Sequence, residues 1–268
     1  MFLTFSELQD CIQKAEDSGA CHEDLEELKK LSSVEEFFKH PKHQNWLYWY
    51  TYNVIQGRWP EAENVIKQNP EWAYRYSVDV LRGRWPEAEN VIRQDPKCAY
   101  RYSLNVLRGR WPEAEEIIKK DPCWAYWYSL TVIGGRWSEA EKFIRKDPRW
   151  SYWYSLNIIR CRWPEAEEFI KQDSEWAYWY SRFVIRGRWP EAEEFIRQAP
   201  EWAYLYSLCV LNGRWIEAEE VIREDPKWAF WYSRDILKGR FIAAEACIKK
   251  DPEWAYWYSK EVYDMNQE

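Results

Sequence analysis

The sequence predicts an all-α protein: an α-solenoid of about eight and a half helix-turn-helix repeats of 26 residues behind an N-terminal helical cap. Three observations carry this. A block typified by residues 71–96, EWAYRYSVDVLRGRWPEAENVIRQDP, returns from Asn45 to the C-terminus without insertion or deletion. Its marker position reads Trp46, Trp72, Cys98, Trp124, Trp150, Trp176, Trp202, Trp228 and Trp254. All 21 Trp lie inside the repeats, none before Trp46, and that much ring area must fill interfaces or line a gripping surface. Repeats of one supersecondary unit bury their apolar faces against their neighbours, so residues 1–44 are expected to be the cap and 45–268 one continuous repeat domain.

The cap reads as two or three helices, Ser6 to Asp17, His22 to Leu31 and Ser33 to His40. Within a repeat, Asp95-Pro96, Asp121-Pro122, Asp147-Pro148, Asp225-Pro226 and Asp251-Pro252 place an N-cap acceptor before a Pro whose missing N–H costs nothing in a first turn. The helix that starts there is expected to stop at Gly57, Gly83, Gly109, Gly135, Gly187, Gly213 or Gly239, taking the left-handed C′ conformation. Pro60, Pro86, Pro112, Pro164 and Pro190 then open a second helix. Both helices are expected to be roughly ten residues, ~15 Å, too short to persist without stacking. Cys98 for Trp, Cys161 for Gly and Ser174 for Pro make the local helix ends uncertain at three places. The C-terminal half-repeat WAYWYSKEVYDMNQE ends polar and is expected to close the array.

Drift among the copies separates a core arc from a free one. Trp72, Ala73, Tyr74, Tyr76, Ser77, Val80 and Leu81 barely change, whereas Arg75, Val78, Asp79 and Arg82 do. In the second helix Ala88, Val91 and Ile92 form the apolar stripe, and Ala88 has an Ala at every equivalent position, as a close backbone approach requires.

The net charge is -7, and residues 1–44 carry -5 of it (ten acidic against five basic side chains), so the chain has no general affinity for polyanions or anionic lipid. The seven Cys occupy unrelated repeat positions, which points to reduced thiols and a cytoplasmic setting. Neither a basic signal-peptide start nor a run of about eighteen apolar residues is present. P-loop, GxGxxG, GxSxG and HExxH motifs are missing, and carboxylates recur only in repeat register, so neither an enzyme nor a cofactor is expected. His40-x-x-His43 with Cys11, Cys21 and His22 fits no zinc-site spacing. The Arg and Glu of GRWPEAE, Arg58 and Glu63 in the first copy, occur in all eight copies and suit a recurring ion pair or bonds to Tyr hydroxyls.

The candidate partner-binding surface is the variable stripe of the first helix. Its residues are Trp49, Arg75, Arg101, Trp127, Trp153, Trp179, Arg182, Trp231, Arg234 and Trp257, with Leu205 in the same row. Trp and Arg supply most hot-spot energy at interfaces, so a protein or peptide partner is expected, or a packed lumen if the stripe curls inward. Single-stranded nucleic acid or a nucleotide is the alternative ligand, through rows such as Arg82, Arg108, Arg160 and Arg186, and self-assembly into a homo-oligomer is a third.

At the level of the hairpin the chain resembles α-solenoids of the tetratricopeptide and Sel1-like class, with a shorter period and without their signature residues. RWPEAE followed by DPxWAYxYS is similar to tandem repeats of uncharacterised phage and bacterial proteins, over about residues 45–268. That resemblance implies a helical stack, transfers no catalytic residue or ligand, and suggests interference with a host protein.

Overall fold

The computed structural model describes residues 3–263, and among them the secondary structure is helical, with no strand. The chain divides into two compact units at the Gly134–Gly135 pair. The first holds the cap helices Phe5–Asp17, His22–Lys29 and Val34–Lys39, followed by repeat helices. The second consists of repeat helices alone. Within each unit the α-solenoid pattern holds. In the first, Pro70–Tyr76 packs on Pro86–Ile92 of its own hairpin and on Pro96–Tyr102 of the next. In the second, Ser174–Tyr180 does the same with Pro190–Ile196 and Pro200–Tyr206. The array's polar end at residues 264–268 lies outside the described residues.

Helix starts follow the sequence. The Asp95 carboxylate accepts from the Cys98 N–H at 2.8 Å, and Asp121, Asp147 and Asp225 accept from the marker Trp N–H at 3.1 Å. Asp173 caps Glu175 and Trp176 in the same way, so Ser174 opens its helix without Pro. The second helices begin at Pro60, Pro86, Pro112, Pro164 and Pro190 as expected, but they last seven residues, not ten. Where Ile216 and Ile242 replace that Pro, the first turn tightens to a 3₁₀ turn.

Helix ends differ from the sequence expectation. After seven α-helical residues the first helix widens into a five-residue π turn, as in Ser77–Leu81. The left-handed residue is then Gln56, Arg82, Arg108, Gly134, Arg160, Arg186, Asn212 or Lys238, not the Gly that comes after it. The cause lies at the hydroxyl residue that begins the π turn, Thr51 in the first and a buried Ser in the seven that follow it. Its hydroxyl donates to the carbonyl four residues back, Ser77 to Ala73 at 2.8 Å, which competes with the α-helical bond. The Ser77 carbonyl in turn accepts from the N–H of Arg82 and, at 3.0 Å, of Gly83. Nothing forces Gly at the following position: a Cβ on Gly109 or Gly187 would meet no atom within 4 Å, and Cys161 stands there without disturbing the turn.

Non-Gly residues in the left-handed region carry a steric cost. Replacing Arg82, Arg108 and Lys238 by Gly, one at a time, is therefore expected to raise stability by about 1 kcal/mol each. Urea unfolding monitored by circular dichroism checks this, and a loss at all three sites would show that the Arg and Lys side chains matter more than the backbone.

Candidate interaction surface and the network behind it

The buried side of each hairpin is nearly identical from copy to copy. Ala88 and its equivalents, Ile92 and its equivalents, and Tyr76, Tyr102, Tyr128, Tyr154, Tyr180, Tyr206 and Tyr232 have no solvent exposure. Each of these Tyr joins two hairpins. The Tyr76 ring packs 4.9 Å from Trp85 in its own hairpin. Its hydroxyl accepts from the Trp59 N–H of the preceding hairpin at 2.9 Å and donates to Glu63 at 3.0 Å. Glu63 in turn takes two parallel bonds from Arg58, both at 2.9 Å.

The chain Trp N–H, Tyr hydroxyl, Glu carboxylate, Arg guanidinium repeats through Trp215, Tyr232, Glu219 and Arg214. Burial works to raise the carboxyls of Glu63 and Glu115, but the Arg and Tyr bonds outweigh it and hold both below the ordinary value. Arg58 is held above its own ordinary value by the same bonds. The invariant Arg and Glu are therefore a satisfied joint between hairpins.

The variable stripe lies on the opposite, solvent side. Among its aromatics, Trp127 is 38% and Trp257 37% exposed, and Trp153, Trp179 and Trp231 are half-buried. Tyr52, Ile55, Phe183 and Tyr256, on the same helices, are also exposed. Trp49 is half-buried and lines a cavity beneath the cap. Arg101 and Leu205 are half-buried and Arg75 is exposed.

The stripe's cations are engaged within the fold. Arg75 pairs with Glu71 at 2.8 Å and lies over Trp72 at 5.1 Å. Arg182 donates to the Tyr178 hydroxyl and lies 5.1 Å from the Phe183 ring, which itself stacks on Trp179. Arg234 pairs with Asp235 at 2.8 Å and sits 3.9 Å over Trp231.

Part of the drifting arc is structural after all. Asp79 is half-buried and accepts from the Tyr48 hydroxyl at 2.6 Å, one copy back, and Asp235 does the same for Tyr204. Asn105 donates to Tyr74 at 2.7 Å, and Thr131 bonds Tyr100 at 3.2 Å. Burial would raise Asp235, yet Arg234 and Tyr204 hold it below the ordinary value. The offset of 31 residues joins a Tyr to a polar residue at a varying position, and comparing single repeats does not expose such a link.

Comparison with protein-family models, with curated proteins and with solved structures returned no match.

The cap histidines serve packing: His40 stacks on Trp46 at 4.4 Å, and His43 Nδ1 lies 2.6 Å from the His40 carbonyl. Among the described residues no group of three or more His, Cys, Asp or Glu is placed to hold a metal ion, and the seven Cys are free thiols. No helix among the described residues is long and apolar enough to cross a membrane.

Proposed function

We propose that the chain is a non-enzymatic repeat scaffold that binds a protein or peptide partner through the aromatic and Arg stripe of its first helices. The observation that carries this is the placement of large rings. Trp127, Phe183 and Trp257 remain exposed on the side that drifts, while the Ala, Ile and inner Tyr of the repeating side are sealed. Rings steadied by neighbours, such as Trp179 against Phe183 at 5.6 Å, are preorganised anchors that lose little freedom when a partner docks.

A protein is favoured over single-stranded nucleic acid because the chain carries a net charge of -7 and several of its basic side chains are already paired. Arg75 and Arg234 meet their own carboxylates, and so do Lys119 and Lys171. Those four would add little to counterion release on meeting a polyanion. The resemblance to phage repeats adds a host protein as the partner, met in the cytoplasm, where free thiols persist.

Replacing Trp153 and Trp179 together by Ala tests this. Captured from native lysate and identified by mass spectrometry, the partner of the wild type should be lost to the variant, with helicity unchanged. Undiminished capture by a folded double variant would remove the proposal.

A further inference from the structure

We propose that a partner docked on the stripe, the reading on which this rests, places one Asp or Glu carboxylate between the Tyr152 hydroxyl and the Arg182 guanidinium. The chain holds its own example of such an arrangement two copies further on. There the Asp235 carboxylate accepts from the Tyr204 hydroxyl at 2.6 Å, from Arg234 Nε at 2.8 Å and from Arg234 Nη2 at 3.2 Å. Moved back by two repeats, the same three positions hold Phe183, Tyr152 and Arg182. The Tyr and the Arg are kept, and the carboxylate between them is gone. In other copies the residue 31 positions after the Tyr bonds its hydroxyl, as Asp79, Asn105 and Thr131 do.

Both remaining groups are left available. Tyr152 is only 4% exposed, and its hydroxyl bonds nothing among the described residues. The oxygen still reaches solvent, because the sealed side-chain atoms without a hydrogen bond among those residues belong to Glu27, Trp46 and Arg145. Burial pushes the Tyr152 hydroxyl up to about 12, so at neutral pH it keeps its proton and can donate. Phe183 cannot accept that bond, and its exposed ring stacks on Trp179 at 5.6 Å.

Arg182 is exposed and meets no carboxylate, its one hydrogen bond going to the Tyr178 hydroxyl. The rest of the guanidinium fork is open to a bound acceptor. Its position matches that of Arg234: Arg182 lies 6.0 Å from the Tyr178 ring centroid, and Arg234 lies 5.7 Å from that of Phe230.

One guanidinium and one neutral hydroxyl suit a single negative charge, and charge-assisted bonds of this kind are the strong ones. Trp153 lies 5.0 Å from the Tyr152 ring, and Trp179 borders Phe183, so an acidic side chain next to an apolar one finds a surface for each. A basic side chain would face Arg182 instead.

NMR titration of the full chain with acetyl-Asp-Trp-amide and acetyl-Asn-Trp-amide tests this. The Asp peptide should bind saturably and about tenfold tighter than the Asn peptide. Arg182→Gln should level the two, and Tyr152→Phe should narrow the gap. Phe183→Asp, which restores the carboxylate within the chain, should also level them while leaving helicity intact. Absence of saturable Asp-peptide binding, equal wild-type affinities, or a preference undiminished in Arg182→Gln or Phe183→Asp would overturn the site. Capture of the lysate partner separates the two readings. Loss in the Trp153 and Trp179 double variant, with capture kept by Phe183→Asp and Arg182→Gln, would leave the stripe standing and overturn the carboxylate site. Undiminished capture by the double variant would remove the stripe, and the peptide preference would still judge the site.

Discussion

Raising the pH above about 10 will unfold the repeats in a steep, cooperative step, with tyrosinate absorbance appearing together with loss of helicity. Burial is the main cause. It pushes the hydroxyls of Tyr102 and Tyr232 up to about 12, and those of Tyr76, Tyr128, Tyr154, Tyr180 and Tyr206 up as well. The Trp N–H that each hydroxyl accepts favours the phenolate, but the adjacent Glu opposes it, and the neutral form wins in the fold.

An acid whose pKa is raised by folding contributes its full stability below the unfolded value and loses it as pH climbs toward the folded one. The window therefore opens at about pH 10, and stability from Tyr102 and Tyr232 is lost by about 12, while the other five joint tyrosines, pushed up further, lose theirs at still higher pH. Each such hydroxyl adds a slope of up to about 1.4 kcal/mol per pH unit. Several acting together are large against a domain stability of about 5–15 kcal/mol, so partial contributions suffice. Parallel titrations at 295 nm and by far-ultraviolet circular dichroism check the result. Exposed Tyr52 and Tyr256 are no part of the joint, so the decisive signal is the bulk of the tyrosinate: its formation near pH 10 from a still-helical protein would show that the joint hydroxyls are accessible and the joint is not sealed.

What the sequence conveyed was whatever repeats in register. Asp-Pro pairs, the second Pro, the constant Ala and Ile and the paired Arg and Glu each mark a local need, and the structure meets each where it was expected. The helix end was misplaced by one residue. Gly signals a left-handed position, but the signal cannot distinguish the left-handed residue from its follower, and the buried Ser that widens the turn looked like one more member of the core arc. The bond from a Tyr hydroxyl to the invariant Glu was expected, but the second partner of the Tyr76 hydroxyl was hidden. Ring burial explains a constant Tyr without asking what its oxygen bonds, and the answer lies 17 residues back, in the preceding hairpin.

The candidate surface was legible only in outline. Drift set exposed Trp127 and Trp257 apart from sealed Ala73, Tyr76 and Ser77, but Trp72, Val80 and Leu81 of the constant arc are half-buried, as are Trp153, Trp179 and Trp231 of the stripe. It also swept in Asp79 and Asp235, which vary in identity while keeping one task, to meet the Tyr hydroxyl 31 residues before. Arg75, Arg182 and Arg234 were expected to meet a partner, and within the fold they are tied to Glu71, Tyr178 and Asp235. The role of Arg75 and Arg234 at an interface is then to steady the rings beside them more than to seek charge on a partner.

If the Tyr is the joint between hairpins, shortening it should cost more than breaking the salt bridge beside it. Tyr154 is unexposed, its ring lies 5.2 Å from Trp163, and its hydroxyl takes the Trp137 N–H at 2.7 Å and meets Glu141 at 3.2 Å. Tyr154→Phe keeps the ring but strands a buried N–H, at an expected cost of about 1–3 kcal/mol. Tyr154→Ala also opens a cavity where the ring was, and the cost should rise to about 3–5 kcal/mol. Arg136 pairs with Glu141 through a guanidinium that is largely in water, so Arg136→Gln should cost at most about 1 kcal/mol. Urea unfolding of the three variants gives the ranking. Because stacked repeats depend on their nearest neighbours, Tyr154→Ala should also lower the denaturant slope as the array loses cooperativity across that joint. A larger loss for Arg136→Gln than for Tyr154→Phe would transfer the joint to the ion pair.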